Sequence, residues 1–393
     1  MTKITMLHIQ GVGGIEDLTI NFNDNMNIIC GPNGIGKTTI LECLAQTFSN
    51  HYNNLLRKKA DHESGKWEVA IDTGEKFMVS KLNFHPDDPQ AFAHPLSLGT
   101  QYASKIISIK TNRTFDYMPL HSISKDAKND GNSSLVHGMG ISDVKNWFVS
   151  RHLWSKHDDA LTHAQQLNLE YAKSIFHKID PEVSFSRVKG GTNDILLNQK
   201  DNSEIYFEYL SSGYKSLIFI ILGLIKEIEI RFSDDNLLIS DFDGVVLIDE
   251  IDLHLHPKWQ SNLVYTLKEI FPRVQFITST HSSHVIQATA PDEIIPLGRD
   301  SNERVIIREV SSSKHGFQGW TVEEILLDVM GLEETRSPLF IKYLNDFELA
   351  LENDNFEDGK KAFEVLDEMI HPNNHLRKLL KLQLGSLGSD MLS

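Results

Sequence analysis

Gly31-Pro32-Asn33-Gly34-Ile35-Gly36-Lys37-Thr38 combines residue types and spacing that could do chemistry. The run fits G-x-x-x-x-G-K-[ST], in which glycines let backbone N–H groups turn toward phosphate oxygens. Lys37 is placed to reach β- and γ-phosphates, and Thr38 to offer a hydroxyl to Mg²⁺. Thr39 completes the expected nucleotide contacts at the start of a helix whose N-terminus adds partial positive charge. A second run, Val245-Val246-Leu247-Ile248-Asp249-Glu250, reads as a buried strand whose carboxyl end carries two acids, where α/β sheets place their ligands. Asp249 then belongs to the Mg²⁺ shell, and Glu250 is positioned to orient or deprotonate an attacking water. The pair of cofactors implied is ATP and Mg²⁺.

Leu210-Ser211-Ser212-Gly213-Tyr214-Lys215 precedes that strand and opens a helix. Taken alone, Ser-Ser-Gly before a helix is an ordinary cap. In this company it resembles the signature of ABC-type ATPases, usually Leu-Ser-Gly-Gly-Gln, with Ser212 for the first glycine and Tyr214 for the glutamine. The resemblance implies that Ser211, Ser212 and Gly213 close over the γ-phosphate held by an opposite subunit. Thr280-His281 follows the next strand, where ABC proteins carry a switch histidine that senses the γ-phosphate. Between them, Ile251-Asp252-Leu253-His254-Leu255-His256-Pro257 takes the place of the D-loop and is similar to the branch related to SMC, RecF and OLD heads, often filed under AAA-type ATPases. His256 stands where transporters usually carry an aspartate. His254, His256, His281 and His284 could also be imagined as a metal cluster, although no cysteine or zinc spacing accompanies them.

The elements that must position these residues follow from periodicity. Short alternating runs before residue 30 read as three strands, and 38–48 has helical spacing. A helix over about 215–232, a strand at 245–248, a helix near 259–271 and a strand at 274–278 alternate as a mostly parallel sheet requires. Residues 51–205 are polar and turn-rich, with hairpins expected over 67–82 and 183–207 and helices over 142–150 and 160–179. After a short strand at 305–307, residues from 321 onward read as helices, begun by Thr321 and Glu324 as a capping box. The expected fold class is α/β, a P-loop NTPase of ABC-ATPase type. Its domains are expected as residues 1–50 of the head, an inserted lobe at 51–205, the rest of the head at 206–310, and a helical region at 311–393.

The 393 residues carry 38 basic and 54 acidic side chains, a net charge of −16, which argues against a surface broadly attractive to nucleic acid. Arg57-Lys58-Lys59 and Arg377-Lys378 with Lys381 read as solvated helix faces, and contact with DNA or RNA stays open. Two cysteines, no leader-like N-terminus, and a longest apolar run of nine residues (217–225) point to a cytoplasmic chain without a membrane segment.

The tail, with Gly319-Trp320-Thr321-Val322-Glu323-Glu324-Ile325-Leu326 and Thr335-Arg336-Ser337-Pro338, is similar to ATPases of Septu and retron-linked anti-phage defence systems. That resemblance implies an HNH-type nuclease partner. One phosphate loop and one signature per chain imply a homodimer with two composite ATP sites related by a twofold axis. The alternatives are an SMC/RecF-like DNA-repair ATPase, a transporter motor subunit, and a nuclease with its own Toprim centre. The large segment after the phosphate loop and the His-Leu-His-Pro run oppose the transporter. The helical context of Glu352-Asn353-Asp354 opposes the intrinsic nuclease.

Overall fold

The computed structural model describes residues 2–51, 56–81, 93–95, 98–112, 119–120, 122–123, 130–139 and 141–389. Part of the turn-prone stretch of sequence at 125–134, where Asp, Asn, Gly and Ser cluster, and Leu82 at the end of the expected hairpin lie outside them.

The strands are β1 (Ile4–Val12), β2 (Ile15–Asn21), β3 (Met26–Cys30), β4 (Gly65–Ile71), β5 (Lys76–Lys81), β6 (Ala93–Pro95), β7 (Ile106–Ile109), β8 (Ser184–Lys189), β9 (Asp194–Asn198), β10 (Glu204–Tyr206), β11 (Val245–Ile248), β12 (Gln275–Ser279), β13 (Ile294–Arg299) and β14 (Val305–Ile307). The helices are α1 (Lys37–Thr47), α2 (Asn132–His137), α3 (Ile141–Trp154), α4 (His163–Ile179), α5 (Ser212–Arg231), α6 (Pro257–Ile270), α7 (Ser283–Gln287), α8 (Val322–Glu324), α9 (Pro338–Glu352), α10 (Phe356–Met369) and α11 (His375–Ser389).

The central sheet has six strands in the order β14-β13-β3-β12-β11-β7, parallel from β13 to β7, with β14 antiparallel at one edge. Its short strands β3, β7 and β11 are wholly buried and mostly apolar because both faces are covered. The period of two sorts them. Ile29, Val245, Leu247 and Ile277 enter a core shared with α1, β1 and β4, whereas Ile28, Val246, Ile248 and Phe276 enter another shared with α3, α4, α5 and α6. Helix α5 is apolar on nearly every side, and 18 of its 20 residues are buried, so it runs through that second core. The apolar stretch at 217–225 is therefore protein interior. No helix among the described residues is long and apolar enough to cross a membrane.

A five-stranded antiparallel sheet, β2-β1-β4-β5-β6, lies beyond α1, and β8–β10 form a third sheet. These pairings change the expected division of the chain. The segment 51–205 is no separate lobe, since β4 pairs with β1 across nearly sixty residues and β7 is the edge strand beside β11. The C-terminal boundary also differs. The chain forms two compact units, Met1–Leu332 and Glu333–Ser393, and residues 311–332 belong to the first, with Ile325, Val329 and Met330 in its core. Thr321 and Glu324 make the expected capping box there, and the helix continues as a π-helical turn over Ile325–Val329. The second unit is three helices around Phe347, Leu366, Ile370, Leu380 and Leu384.

Both cysteines are buried and outside any disulfide, and burial pushes the Cys30 thiol up to about 12. The basic clusters are engaged in ion pairs. Lys59 meets Glu16 and Asp61 in the first unit, and Arg377 meets Asp367 in the second.

Candidate functional site

Parallel register places Ile109, Ile248, Thr278 and Ile28 side by side across four strands. The segments that follow β3, β11 and β12 therefore emerge at one edge of the sheet. That edge gathers the 31–39 loop, the Asp249-Glu250 pair and the Thr280-His281 turn.

The loop turns sharply out of β3. Gly31 has φ 143°, and a Cβ there would fall 2.6 Å from the Leu297 carbonyl oxygen, so only glycine fits. Ile35, 2% exposed, pins the loop into the core, while Asn33, Gly34 and Thr38 are exposed and Pro32, Gly36 and Thr39 are half-buried. Helix α1 begins at Lys37 with no acidic residue in its first turn, leaving its N-terminal partial charge uncompensated. Lys37 is buried, and its Nζ donates to the Gly31 carbonyl at 2.7 Å and the Pro32 carbonyl at 2.9 Å. Burial holds this ammonium below the ordinary lysine range, while nearby carboxylates including Asp249, Glu250 and Asp252 pull the other way.

The Asp249 carboxylate is held from two sides. Thr38 Oγ1 donates to Asp249 at 3.0 Å from Oδ2, and Ser279 Oγ donates to Asp249 Oδ1 at 2.6 Å. Ser279 Oγ in turn accepts the Glu250 N–H at 2.7 Å. Glu250 has φ +49°, a left-handed backbone uncommon for a residue with a side chain, and its own carbonyl accepts the Leu253 N–H at 2.9 Å. Ser279 thus fixes both acids at once. Ser279→Ala is expected to strip a bond from a buried carboxylate and from the Glu250 N–H, costing about 1–3 kcal/mol. A thermal midpoint unchanged from the parent chain would show that the acids are held without it.

Two residues past β12, the exposed His281 imidazole is kept below the ordinary histidine range by desolvation and by the charge of Lys37. Lys37, Thr38, Asp249, Glu250 and His281 therefore share one electrostatic neighbourhood. Ser211, Ser212 and Gly213 are placed elsewhere. Ser211 caps α5 by accepting the Tyr214 N–H, Ser211 and Ser212 are exposed, and no hydrogen bond among the described residues joins the three to the 31–39 loop.

The four histidines have separate local roles or none. His256 caps α6 through Nδ1, His284 contacts Gln287, and among the described residues no group of three or more His, Cys, Asp or Glu side chains is placed to hold a metal ion. For Mg²⁺ the fit is of a different kind, a Thr hydroxyl beside a single buried carboxylate, the hard oxygen set of an ion that keeps waters and shares phosphate ligands. Sequence reasoning missed Ser279 and Gln260 and gave Asp252 no task. Three consecutive hydroxyl residues, Thr278-Ser279-Thr280, at the end of an apolar strand run were the available signal.

Residues 26–287 match the family model described as "AAA domain, putative AbiEii toxin, Type IV TA system". The chain is 44% identical to the Septu protein PtuA of Bacillus thuringiensis, covering 99% of each. It is 23% identical to the "Retron Ec83 probable ATPase" of Escherichia coli over 72% of this chain and 53% of that protein. An SMC head domain from Thermotoga maritima aligns with 78% of the chain and all of its own, at 15% identity and a TM-score of 0.43.

Proposed function

This chain belongs to the family of AAA-type ATPases that includes the Septu protein PtuA, and we propose that it binds Mg-ATP at the 31–39 loop, pairs with a second copy over it, and hydrolyses it. The observation that carries this reading is the relay Thr38–Asp249–Ser279–Glu250, which sets a Mg²⁺-type donor pair and a second acidic residue side by side at the mouth of the loop. Gly31 to Gly36 and the start of α1 cradle phosphates, Lys37 donates to β- and γ-oxygens, and Thr39 supports the loop's first helical turn. Thr38 and Asp249 hold Mg²⁺, which neutralises phosphate charge when bound. Glu250 takes the proton of the water that attacks the γ-phosphorus, and His281, at the same edge of the sheet, meets the γ-phosphate.

Ser211 and Ser212 are exposed, and neither they nor Gly213 bonds to its own 31–39 loop among the described residues, which supports their closing the site of a twin chain. Each ATP then bridges two copies, and its hydrolysis opens them. Ser211→Arg tests this most directly. It is expected to leave nucleotide affinity near the parent value while lowering turnover on the order of 100-fold, the scale of a lost transition-state hydrogen bond with added clash. Full turnover in that variant would leave the serine a helix cap only. The biological reading is a regulatory ATPase of a defence system, supported by the Septu and retron relatives, and the partner it would control is the HNH-type nuclease that the resemblance implies. Purification from the native operon tests that step, and recovery of the chain with no nuclease would reject it.

A further inference from the structure

Between β11 and α6 the chain makes a tight turn over residues 251–256 that touches both halves of the proposed mechanism. On one side, the Asp252 carboxylate accepts two hydrogen bonds at a single oxygen, Oδ1: one from Thr280 Oγ1 at 2.5 Å and one from the His281 backbone N–H at 3.1 Å. The same Thr280 hydroxyl accepts the Ser282 N–H at 3.0 Å, so the whole 280–282 turn is folded onto Asp252. Its closure onto α6 is completed by Gln260, which donates to the Leu255 carbonyl at 2.9 Å and accepts from Ser282 Oγ at 2.7 Å.

On the other side, the turn presses on the start of α5. Ser216 Oγ donates to the Leu253 carbonyl at 3.2 Å. A Cβ at Gly213 would lie 2.8 Å from the His254 carbonyl oxygen and 3.2 Å from His256 N, so the helix start and the turn touch backbone to backbone. His254 reaches this position with φ +65°. The turn is also stiff internally, through Leu253 N–H to Glu250 O at 2.9 Å and Leu255 N–H to Asp252 O at 3.0 Å.

We infer that Asp252 is a positioning residue, and that the 251–256 turn it anchors couples the His281 turn to the Ser211–Gly213 turn of the same chain. The inference rests on the paired-head reading above. In that assembly His281 reads the γ-phosphate of its own site, while Ser211–Gly213 closes the site of the twin. A bracket joining them makes the lid that one chain offers its twin depend on what its own histidine senses. The link is a contiguous chain of hydrogen bonds and backbone packing, the kind of connection through which coupling travels.

The test measures how tightly two chains associate with Mg-ATP in the Glu250→Gln background, where turnover does not dissolve the pair, with ADP affinity measured alongside to monitor folding and the phosphate loop. Adding Asp252→Ala is expected to weaken the ATP-dependent pair by on the order of 10- to 100-fold, the scale of losing two hydrogen bonds to a charged acceptor, and to leave ADP affinity within about twofold because no phosphate contact is removed. Asp252→Asn, whose amide oxygen still accepts both bonds, is expected to return the association to within about threefold of the background. Asp252→Ala pairs as tight as the background would overturn the bracket and leave the paired-head reading standing. Failure of the Glu250→Gln chain alone to pair with ATP would overturn the paired-head reading, and the bracket with it. Weakened pairing in both Asp252→Ala and Asp252→Asn would assign the effect to charge, not to the two bonds, and would equally overturn it.

Discussion

A chain carrying Glu250→Gln is expected to bind Mg-ATP as the parent does, to hydrolyse it roughly 10²- to 10⁴-fold more slowly, and to persist with ATP as a two-chain species in mass measurements. The size follows from the chemistry. Glutamine has the shape of glutamate and can still orient a water, but it takes no proton. The backbone demand is unchanged, because the left-handed φ at Glu250 is set by Ser279 and by the bond from Leu253, neither of which touches the carboxylate. Loss of turnover with an unchanged thermal midpoint would therefore report on proton transfer and not on folding. Hydrolysis at the parent rate would remove Glu250 from the mechanism.

Lys37→Ala is expected to act one step earlier. The ammonium sits where the loop closes, bonded to the Gly31 and Pro32 carbonyls and surrounded by the site's carboxylates. Its exchange of those carbonyls for phosphate oxygens would form charge-assisted bonds worth about 1.5–3 kcal/mol each, so two of them amount to roughly 10²- to 10⁴-fold in affinity. Titration with a fluorescent ATP analogue reads this directly. Parent-like affinity in the variant would mean that the 31–39 loop does not hold the triphosphate.

Much of the site was legible because its parts are local. Gly31 to Thr38 is a contiguous pattern between a strand and a helix, and Val245 to Ile248 is a short apolar run that ends in acids. Thr321 with Glu324 is a cap readable three residues at a time. What failed to show was non-local. Nothing near Trp67 reveals that its strand pairs with Ile9, and Ile106 to Ile109 is too short an apolar run to be placed at a sheet edge without its partner. The left-handed Glu250 was hidden for another reason. Its conformation depends on Ser279, twenty-nine positions later, as well as on the local bond from Leu253. Asp252 and Ser279 were visible as residue types, but their partners arrive only when β11 and β12 lie side by side.

The position of β3 also governs how this protein can be made. Its neighbours are β12 on one side and β13 on the other, both encoded after residue 274. A nascent chain has therefore synthesised its phosphate loop long before either edge of that five-residue strand can be satisfied. At translation speeds of about 5–20 residues per second, the wait is on the order of ten seconds to a minute. Throughout it, Met26 to Cys30 is an apolar segment without its sheet, the kind that other nascent chains can recruit. Truncations before residue 294 should consequently aggregate instead of yielding a smaller working head, and production of this protein should respond to the supply of ribosome-associated chaperones.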